Sequence, residues 1–384
     1  MSGCASSCSF PDGSRRGTER LKVFGDIAAL RAHLKAPVAT VGNFDGLHRG
    51  HRAIVDRVLE RARATGANSL LITFDPHPLR VLAPERAPFM ITTRRQKLAL
   101  FEEAGLEYIL VLPFTVELAE VTAERFVREH LSEGLGLKEV YVGANFNFGR
   151  GRAGTADLLV RLCADLGIRA EKVPECRYLG SPISSSRIRR AVAAGEVELA
   201  RELLGRPLAI EGTVVHGDGR GAKLGFPTAN LAPQNELIPQ DGVYVTEAVV
   251  EREVHPAVTN IGSRPTFSEA QYAVETHLLG GHRNLYDQLM EVRFLARLRQ
   301  ELKFESPAAL VEQSVRARLP ARSNGLCYDA APFSPAARRC QVAAAPELDA
   351  CADSSPSKGS RVPARRRRSR CSRTTSRSKG SIMS

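Results

Sequence analysis

The 384-residue sequence has no run of the roughly 18 consecutive apolar residues that a membrane-spanning helix requires. Residues 1–20 also lack the apolar segment of a secretory signal peptide. These absences argue against a membrane protein with helical spans and against a secreted one. We therefore expect a soluble cytoplasmic protein whose first 20 residues are a disordered extension.

Cysteine is scarce in the part of the chain that has a folded composition. Of the eight cysteines, only Cys163 and Cys176 fall between residues 21 and 320, and no CxxC pair or paired-histidine spacing accompanies them. A zinc site or a disulfide framework is therefore not expected, and reduced thiols fit the cytosol.

The net charge of +12 is concentrated at one end of the chain. Residues 321–384 hold 13 Lys and Arg against four Asp and Glu. This Ser-, Arg-, Pro- and Ala-rich stretch has no periodic apolar face, which predicts a disordered basic tail over residues 320–384. RNA or DNA binding through residues 365–370 is one alternative function, but we expect no nucleic-acid partner because the rest of the chain is nearly balanced in charge.

From residue 21 to residue 173, apolar runs alternate with helix-period segments, which predicts a Rossmann-like, doubly wound α/β domain. The predicted strands cover residues 38–41, 69–74, 108–112, 139–143 and 169–173. The predicted amphipathic helices cover residues 52–64, 94–104, 123–133 and 156–166. Residues 187–204 predict one or two more helices, broken at Gly195 and closed by Gly205-Arg206-Pro207.

After residue 207, short β-rich runs separated by Gly-, Pro- and Asn-rich turns predict a small antiparallel β-barrel, with a sandwich as the alternative. The runs cover residues 210–216, 242–250, 273–279 and 289–295, and residues 307–315 look helical. The predicted organisation is a first domain over residues 21–190, linker helices over 191–206 and a barrel domain over 207–319.

The segment GNFDGLHRGH, residues 42–51, follows the first predicted strand and opens the first long helix. A helix N-terminus offers unpaired N–H groups, two histidines add donors, and a glycine lets a polyphosphate approach the backbone. Polar residues at an ordinary helix start would show the same HxGH spacing, but open α/β sheets bind ligands at this position. The segment therefore predicts a nucleotide triphosphate site. Its predicted residues are Gly42, Phe44, Asp45, His48, Gly50 and His51.

A second cluster, ISSSRIR at residues 183–189, also starts a predicted helix. Its hydroxyls and arginines suit phosphate oxygens. Alone it would be read as an N-cap; beside the first motif it predicts the other wall of a phosphate cleft. The residues assigned to this wall are Ser184, Ser185, Ser186 and Arg189.

These HRGH and ISSSRIR elements resemble the nucleotidyltransferase superfamily that includes the FMN adenylyltransferase module of bacterial FAD synthetases. A TFDPHP segment at residues 73–78 and a GANFNFG loop at residues 143–149 extend the resemblance. The resemblance implies that Asn145, which stands where the family often has Asp, and Phe148 lie near flavin and nucleotide. Alternating phenylalanines are equally typical of strand core.

Adenylyl transfer suits these residues because the attacking FMN phosphate oxygen is already anionic and needs no general base. The site has to supply in-line positioning and positive charge at the α-phosphate. The predicted sources are His48, His51, Arg189 and Mg²⁺.

Downstream, residues 212–217 (GTVVHG) lead into GAKLGFPTAN at residues 221–230. Glycines can wrap phosphates, and a hydroxyl and an amide oxygen two positions apart can face one hard cation. A turn-rich β connection would look the same without further context. The residues assigned to nucleotide binding are Gly217, Lys223, Gly225, Thr228 and Asn230.

The GFPTAN segment resembles the signature of the riboflavin kinase fold, and ordered matches continue at residues 260–267, 274–277, 285–286 and 298–304. The resemblance implies that Thr228 and Asn230 hold Mg²⁺ with ATP and that Glu275 is the catalytic base. A base is needed because the ribityl hydroxyl of riboflavin is a weak acid. A solvated strand carboxylate is the alternative for Glu275.

Together these resemblances imply an enzyme that phosphorylates riboflavin to FMN and adenylylates FMN to FAD, releasing pyrophosphate, with riboflavin, FMN and ATP as its ligands. An adenylyltransferase for pantetheine phosphate or nicotinamide mononucleotide is a rival that leaves the second module unexplained. A flavin-binding regulator with decayed sites is another, which the intact motif residues disfavour.

Overall fold

The computed structural model describes residues 21–216, 228–264, 271–279 and 284–299. Its first part contains a parallel sheet of six strands. They are β1 (Lys22–Phe24), β2 (Val38–Val41), β3 (Ser69–Asp75), β4 (Tyr108–Pro113), β5 (Glu139–Gly143) and β6 (Arg169–Val173). Their order in the sheet is β1-β4-β3-β2-β5-β6, which confirms the predicted α/β domain.

The central strands are apolar along their whole length because helices cover both faces of the sheet. All four residues of β2 are buried. In β3, Leu70 and Ile72 belong to one core cluster, whereas Leu71 belongs to another. Alternate residues of a strand point to opposite faces, so the two clusters lie on the two sides of the sheet.

Nine short and long helices connect or follow the strands within the described ranges. They are α1 (Ile27–Arg31), α2 (Arg49–Thr65), α3 (Pro78–Leu82), α4 (Arg94–Ala104), α5 (Val116–Ala119), α6 (Ala123–Arg125), α7 (Ala156–Asp165), α8 (Ser185–Ala193) and α9 (Val197–Leu204). Helix α6 continues as π-helical turns over Phe126–Gly134 rather than as the predicted α-helix. The wider turn brings Phe126 and Leu131, five positions apart, to the same buried side.

The second part is a closed antiparallel barrel, which confirms the predicted barrel and removes the sandwich alternative. Its strands are β7 (Leu208–Val215), β8 (Ala229–Pro233), β9 (Gly242–Val250), β10 (Glu253–Arg264), β11 (Gln271–Leu278) and β12 (Leu289–Arg299). Their order is β7-β8-β11-β10-β9-β12, and β12 pairs with β7. Strands β8 and β10 were not predicted; in β10, Pro256 and Gly262 look like turn residues.

Helices α8 and α9 join the two parts. The chain turns between them at Gly195, whose φ of +73° favours glycine, as predicted. Ile188 and Leu203 of these helices share a core cluster with Leu208 and Phe294 of the barrel. Within the described ranges, no helix has the length and apolar character needed to cross a membrane. The predicted extension, the helix at residues 307–315 and the basic tail lie outside the described residues.

Candidate active sites

The HRGH segment lies where β2 ends and α2 begins, at the carboxyl edge of the sheet. His48 is the N-cap of α2, and its Nδ1 accepts a hydrogen bond from the His51 backbone N–H at 3.2 Å. The two imidazole rings stack with centroids 3.6 Å apart. The predicted histidine pair is therefore one unit at the positive end of a 17-residue helix.

Both histidines are held in the neutral form. Burial, assisted by the positive charge of Arg206, lowers the pKa of His48 to about 3. Burial and the neighbouring His48 lower the pKa of His51 well below its usual range. Because Nδ1 of His48 is an acceptor, its proton is on Nε2, where it can be donated to a phosphate oxygen.

Asp45 precedes the histidines in the same loop and is 2% exposed. Its carboxylate accepts from the backbone N–H groups of Ile91 and Thr92 and from the Thr92 hydroxyl. It also pairs with Arg189 at 2.6 Å. The sequence predicted a nucleotide contact for Asp45; the structure places its carboxylate among protein donors, where it orients Arg189.

The ISSSRIR segment starts α8 beside this loop. Ser184 caps the helix by accepting from the Arg187 N–H, and the Ser185 hydroxyl donates to the Asp45 carbonyl at 3.0 Å. Ser186 is exposed. Arg187 is occupied by three carbonyls of the preceding hairpin, so Arg189 is the arginine of this segment that is fixed against the HRGH loop.

Glycine at position 50 has a packing reason as well as the predicted phosphate one. A methyl group there would lie 3.2 Å from the His48 ring. Gly42 similarly abuts the ring of Phe44, and Phe44 is buried with its ring edge on His51. Phe44 thus supports the histidine pair from the core.

The two residues assigned near the flavin differ in their exposure to solvent. Asn145 is exposed and donates from Nδ2 to Glu175 at 2.8 Å. Phe148 is buried and packs against Phe126 and Phe146. Its surroundings are those of the strand-core alternative rather than of an open ligand surface.

Sequence reasoning missed Lys97 and His77, which line a neighbouring cleft of about 270 Å³. Lys97 donates to the Thr73 hydroxyl at 2.9 Å, and burial lowers the pKa of Lys97 to about 8. His77 Nε2 lies 3.2 Å from Nδ2 of Asn43. The TFDPHP segment pointed to His77, whereas nothing in the spacing along α4 distinguished Lys97.

The barrel brings the second set of predicted residues into register. Asn230 of β8 lies opposite Glu275 of β11, which lies opposite Asn260 of β10. Cross-strand neighbours share a face, so the amide, carboxylate and amide form one row. Thr228 directly precedes β8. Asn260 was not assigned a role from the sequence, and Gly217, Lys223 and Gly225 lie outside the described residues.

This row is on the outer face of the barrel. The alternating positions Thr259 and Thr276 are fully buried inside, hydrogen-bonded to each other at 3.0 Å. Glu275 and Asn260 are partly buried. Beside them, β7 ends at Val215, opposite Asn230, and the next residue, His216, stacks on Tyr286 with ring centroids 3.8 Å apart.

The row and the neighbouring Thr228 offer oxygen atoms as metal ligands. Thr228 offers a hydroxyl, Asn230 an amide carbonyl and Glu275 a carboxylate, which are ligand types that Mg²⁺ accepts together with substrate phosphates. Over the described part of the chain there is no group of three His, Cys, Asp or Glu side chains arranged to hold a metal alone. A cation here would thus depend on the nucleotide for further ligands.

Comparisons with known proteins match both halves of the chain. The FAD synthetase family model matches residues 30–187, and the riboflavin kinase family model matches residues 204–319. A bifunctional riboflavin kinase/FMN adenylyltransferase from Pseudomonas fluorescens is 38% identical over 282 residues, which cover 73% of this chain and 90% of that protein. The protein of the same name from Escherichia coli (strain K12) is 37% identical over 286 residues, covering 74% and 91%.

A similar solved structure is a crystal structure described as a macrolide-efflux protein from Streptococcus pneumoniae. It superposes with a TM-score of 0.70 at 27% sequence identity. The match covers 79% of this chain and 99% of that chain.

Proposed function

Because the chain belongs to the bifunctional riboflavin kinase/FMN adenylyltransferase family and has both activities, we propose that its two sites divide the two reactions. The HRGH site transfers the adenylyl group of ATP to FMN, and the outer row of the barrel transfers the γ-phosphoryl group of ATP to riboflavin. The observation that carries this division is the stacked His48–His51 pair at the start of α2, far along the chain from the Glu275 row.

At the first site an FMN phosphate oxygen attacks the α-phosphate of ATP and pyrophosphate leaves. The neutral His48 and His51 donate hydrogen bonds to phosphate oxygens, and Arg189 supplies positive charge where negative charge develops. Asp45 keeps the Arg189 guanidinium in place through their 2.6 Å ion pair. No residue has to remove a proton, which fits two imidazoles held neutral by burial.

At the second site Glu275 accepts the proton of the ribityl hydroxyl of riboflavin as the hydroxyl oxygen attacks the γ-phosphate of ATP, and ADP leaves. Thr228 and Asn230 would hold Mg²⁺, an assignment supported by their oxygen donors and by the register of Asn230 with Glu275. The ion, when bound, neutralises phosphate charge. We place both reactions in the cytoplasm, the compartment that holds the ATP pool that they consume.

The assignment is tested by incubating the purified protein with riboflavin and Mg·ATP and separating the flavins by chromatography. Glu275→Gln should stop FMN formation while supplied FMN is still converted to FAD, and His51→Ala should do the reverse. Glu247→Gln, a partly buried carboxylate on β9 of the same barrel, is the matched control and should keep both activities. If Glu275→Gln and His51→Ala each lose both activities while folded, the division into two sites is wrong.

A further inference from the structure

The loop that delivers His48 to the first site has an unusual backbone. Phe44, Gly46 and Leu47 have φ values of +48°, +80° and +35°. For a residue with a side chain, the left-handed region costs about 1–2 kcal/mol. Such conformations persist where surrounding structure holds them, so the loop requires partners outside itself.

Arg206 provides those partners. Its Nη2 donates to the Gly46 carbonyl at 2.8 Å, and its Nη1 donates to the Leu47 carbonyl at 3.3 Å. These are the last two carbonyls before His48. Two bonds from one planar guanidinium fix direction as well as distance, so Arg206 helps to fix the position of the capping histidine.

The charge of Arg206 acts on the same histidine. Burial lowers the pKa of Arg206 to about 10, against the opposing effect of Glu103, Glu291 and Asp45, so the side chain stays charged at neutral pH. That charge is the second contribution, after burial, that lowers the pKa of His48. Arg206 thus holds the loop and disfavours protonation of His48.

Arg206 lies at the entry to the other module. It follows α9, lies inside the riboflavin kinase match at residues 204–319 and falls outside the FAD synthetase match at residues 30–187. Two residues later, Leu208 pairs with Phe294 in the barrel. The residue that holds the HRGH loop therefore lies two positions before β7, the first strand of the barrel.

We propose that Arg206 is a positioning residue for adenylyl transfer, through which the riboflavin kinase module completes the adenylyltransferase site. The proposal rests on the assigned role of His48. If Arg206 only stabilised the junction between the modules, its replacement would reduce both activities together. If Arg206 is a positioning residue, its replacement reduces only FMN adenylylation.

The test is Arg206→Met in the full chain. We expect kcat for conversion of FMN to FAD to fall between about tenfold and about a hundredfold, because small displacements of reacting groups have effects of that size. Riboflavin phosphorylation should keep its kcat and KM. Arg206→Lys should recover part of the rate, since an ammonium can reach one of the two carbonyls. In histidine NMR spectra of Arg206→Met, the pKa of His48 should rise.

Arg201→Met is the matched control, because Arg201 lies on α9 and pairs with Glu202 of the same helix; both activities should be unchanged. The proposal is overturned if Arg206→Met keeps FMN adenylylation within about twofold of wild type, or if Arg206→Met and Arg206→Lys lose both activities in parallel. His48→Ala separates the two claims: wild-type adenylylation in that variant would refute the role of His48 itself, whatever Arg206→Met does.

Discussion

Asp45 and Arg189 are 144 positions apart in the sequence, yet Oδ2 of Asp45 lies 2.6 Å from Nη2 of Arg189. Arg189 also donates from Nε to the Phe89 carbonyl at 2.8 Å. The Asp45 carboxylate in turn accepts from the N–H groups of Ile91 and Thr92. A single buried carboxylate therefore joins the HRGH loop, the segment before α4 and helix α8, and it fixes the direction of the arginine that we propose contacts the phosphates.

Replacing Asp45 by Asn should destabilise the protein and slow adenylyl transfer. The variant leaves the partly buried Arg189 charge without its partner, and breaking such a pair costs about 3 kcal/mol. Urea unfolding measures the loss, and FMN adenylylation should fall with it. Glu120→Gln is the control, because its pair with Arg150 at 3.8 Å is exposed and should contribute less than about 1 kcal/mol. Equal losses in the two variants would contradict this role of Asp45.

Stability should fall on mild acidification because of the histidine pair. Burial lowers the pKa of His48 to about 3 and the pKa of His51 well below its usual range. In the unfolded chain both histidines have a pKa of about 6.5. From about pH 6.5 down to about pH 3 the unfolded state therefore binds more protons, and each histidine removes up to about 1.4 kcal/mol per pH unit.

The unfolding free energy at about pH 7, 6 and 5 measures this slope. His48→Asn should make the slope shallower, whereas His33→Asn, at an exposed position, should leave it as in the wild type. A His48→Asn slope equal to that of the wild type would mean that the imidazole is not kept neutral in the fold.

Lys97 should make adenylyl transfer sensitive to alkaline pH. Burial lowers the pKa of Lys97 to about 8, so its positive charge in the cleft beside the HRGH loop is present below about pH 8 and lost above it. The KM for ATP, FMN or both should rise between about pH 7 and pH 9.5. Lys97→Arg should remove this rise, because a guanidinium stays charged. Persistence of the same rise in Lys97→Arg would assign it to another group.

Much of the fold was readable from the sequence because the buried parallel strands and their helices follow simple periodicities. The predicted strand at residues 38–41 and helix at residues 94–104 have the same bounds in the structure. Strand β1 was missed, since its three residues KVF are mostly exposed and depend on pairing with β4. Helix α2 begins three residues before the prediction because the His48 cap, rather than apolar spacing, sets its start.

The site was readable only in part. Two motifs, each at the start of a helix, were expected to form one cleft, and the Ser185–Asp45 hydrogen bond brings them together. Three features arise from contacts between distant segments. Asp45 orients Arg189, Arg206 holds the HRGH loop, and the amine of Lys97 is buried. No local pattern distinguishes an arginine that donates to two carbonyls about 160 positions away from an arginine on the surface.

A last prediction concerns the three threonines inside the barrel. Thr259 lies in the middle, with its hydroxyl 2.8 Å from that of Thr246 and 3.0 Å from that of Thr276. Thr259→Val removes both bonds and leaves the buried hydroxyls of Thr246 and Thr276 without this partner. The free energy of unfolding should fall by about 2–3 kcal/mol. Thr276→Val removes one bond and leaves the Thr246–Thr259 pair intact, so it should cost about 1 kcal/mol.

Because valine has nearly the shape of threonine, neither substitution opens a cavity, and the difference in unfolding free energy reports the hydrogen bonds. Thr276 follows Glu275 in β11. Loss of the threonine hydrogen bonds should therefore also reduce riboflavin phosphorylation more than it reduces FMN adenylylation. If Thr276→Val destabilises the protein as much as Thr259→Val, the three hydroxyls do not act as a shared network, and the position of Glu275 depends on the strand pairing of β8, β11 and β10 alone.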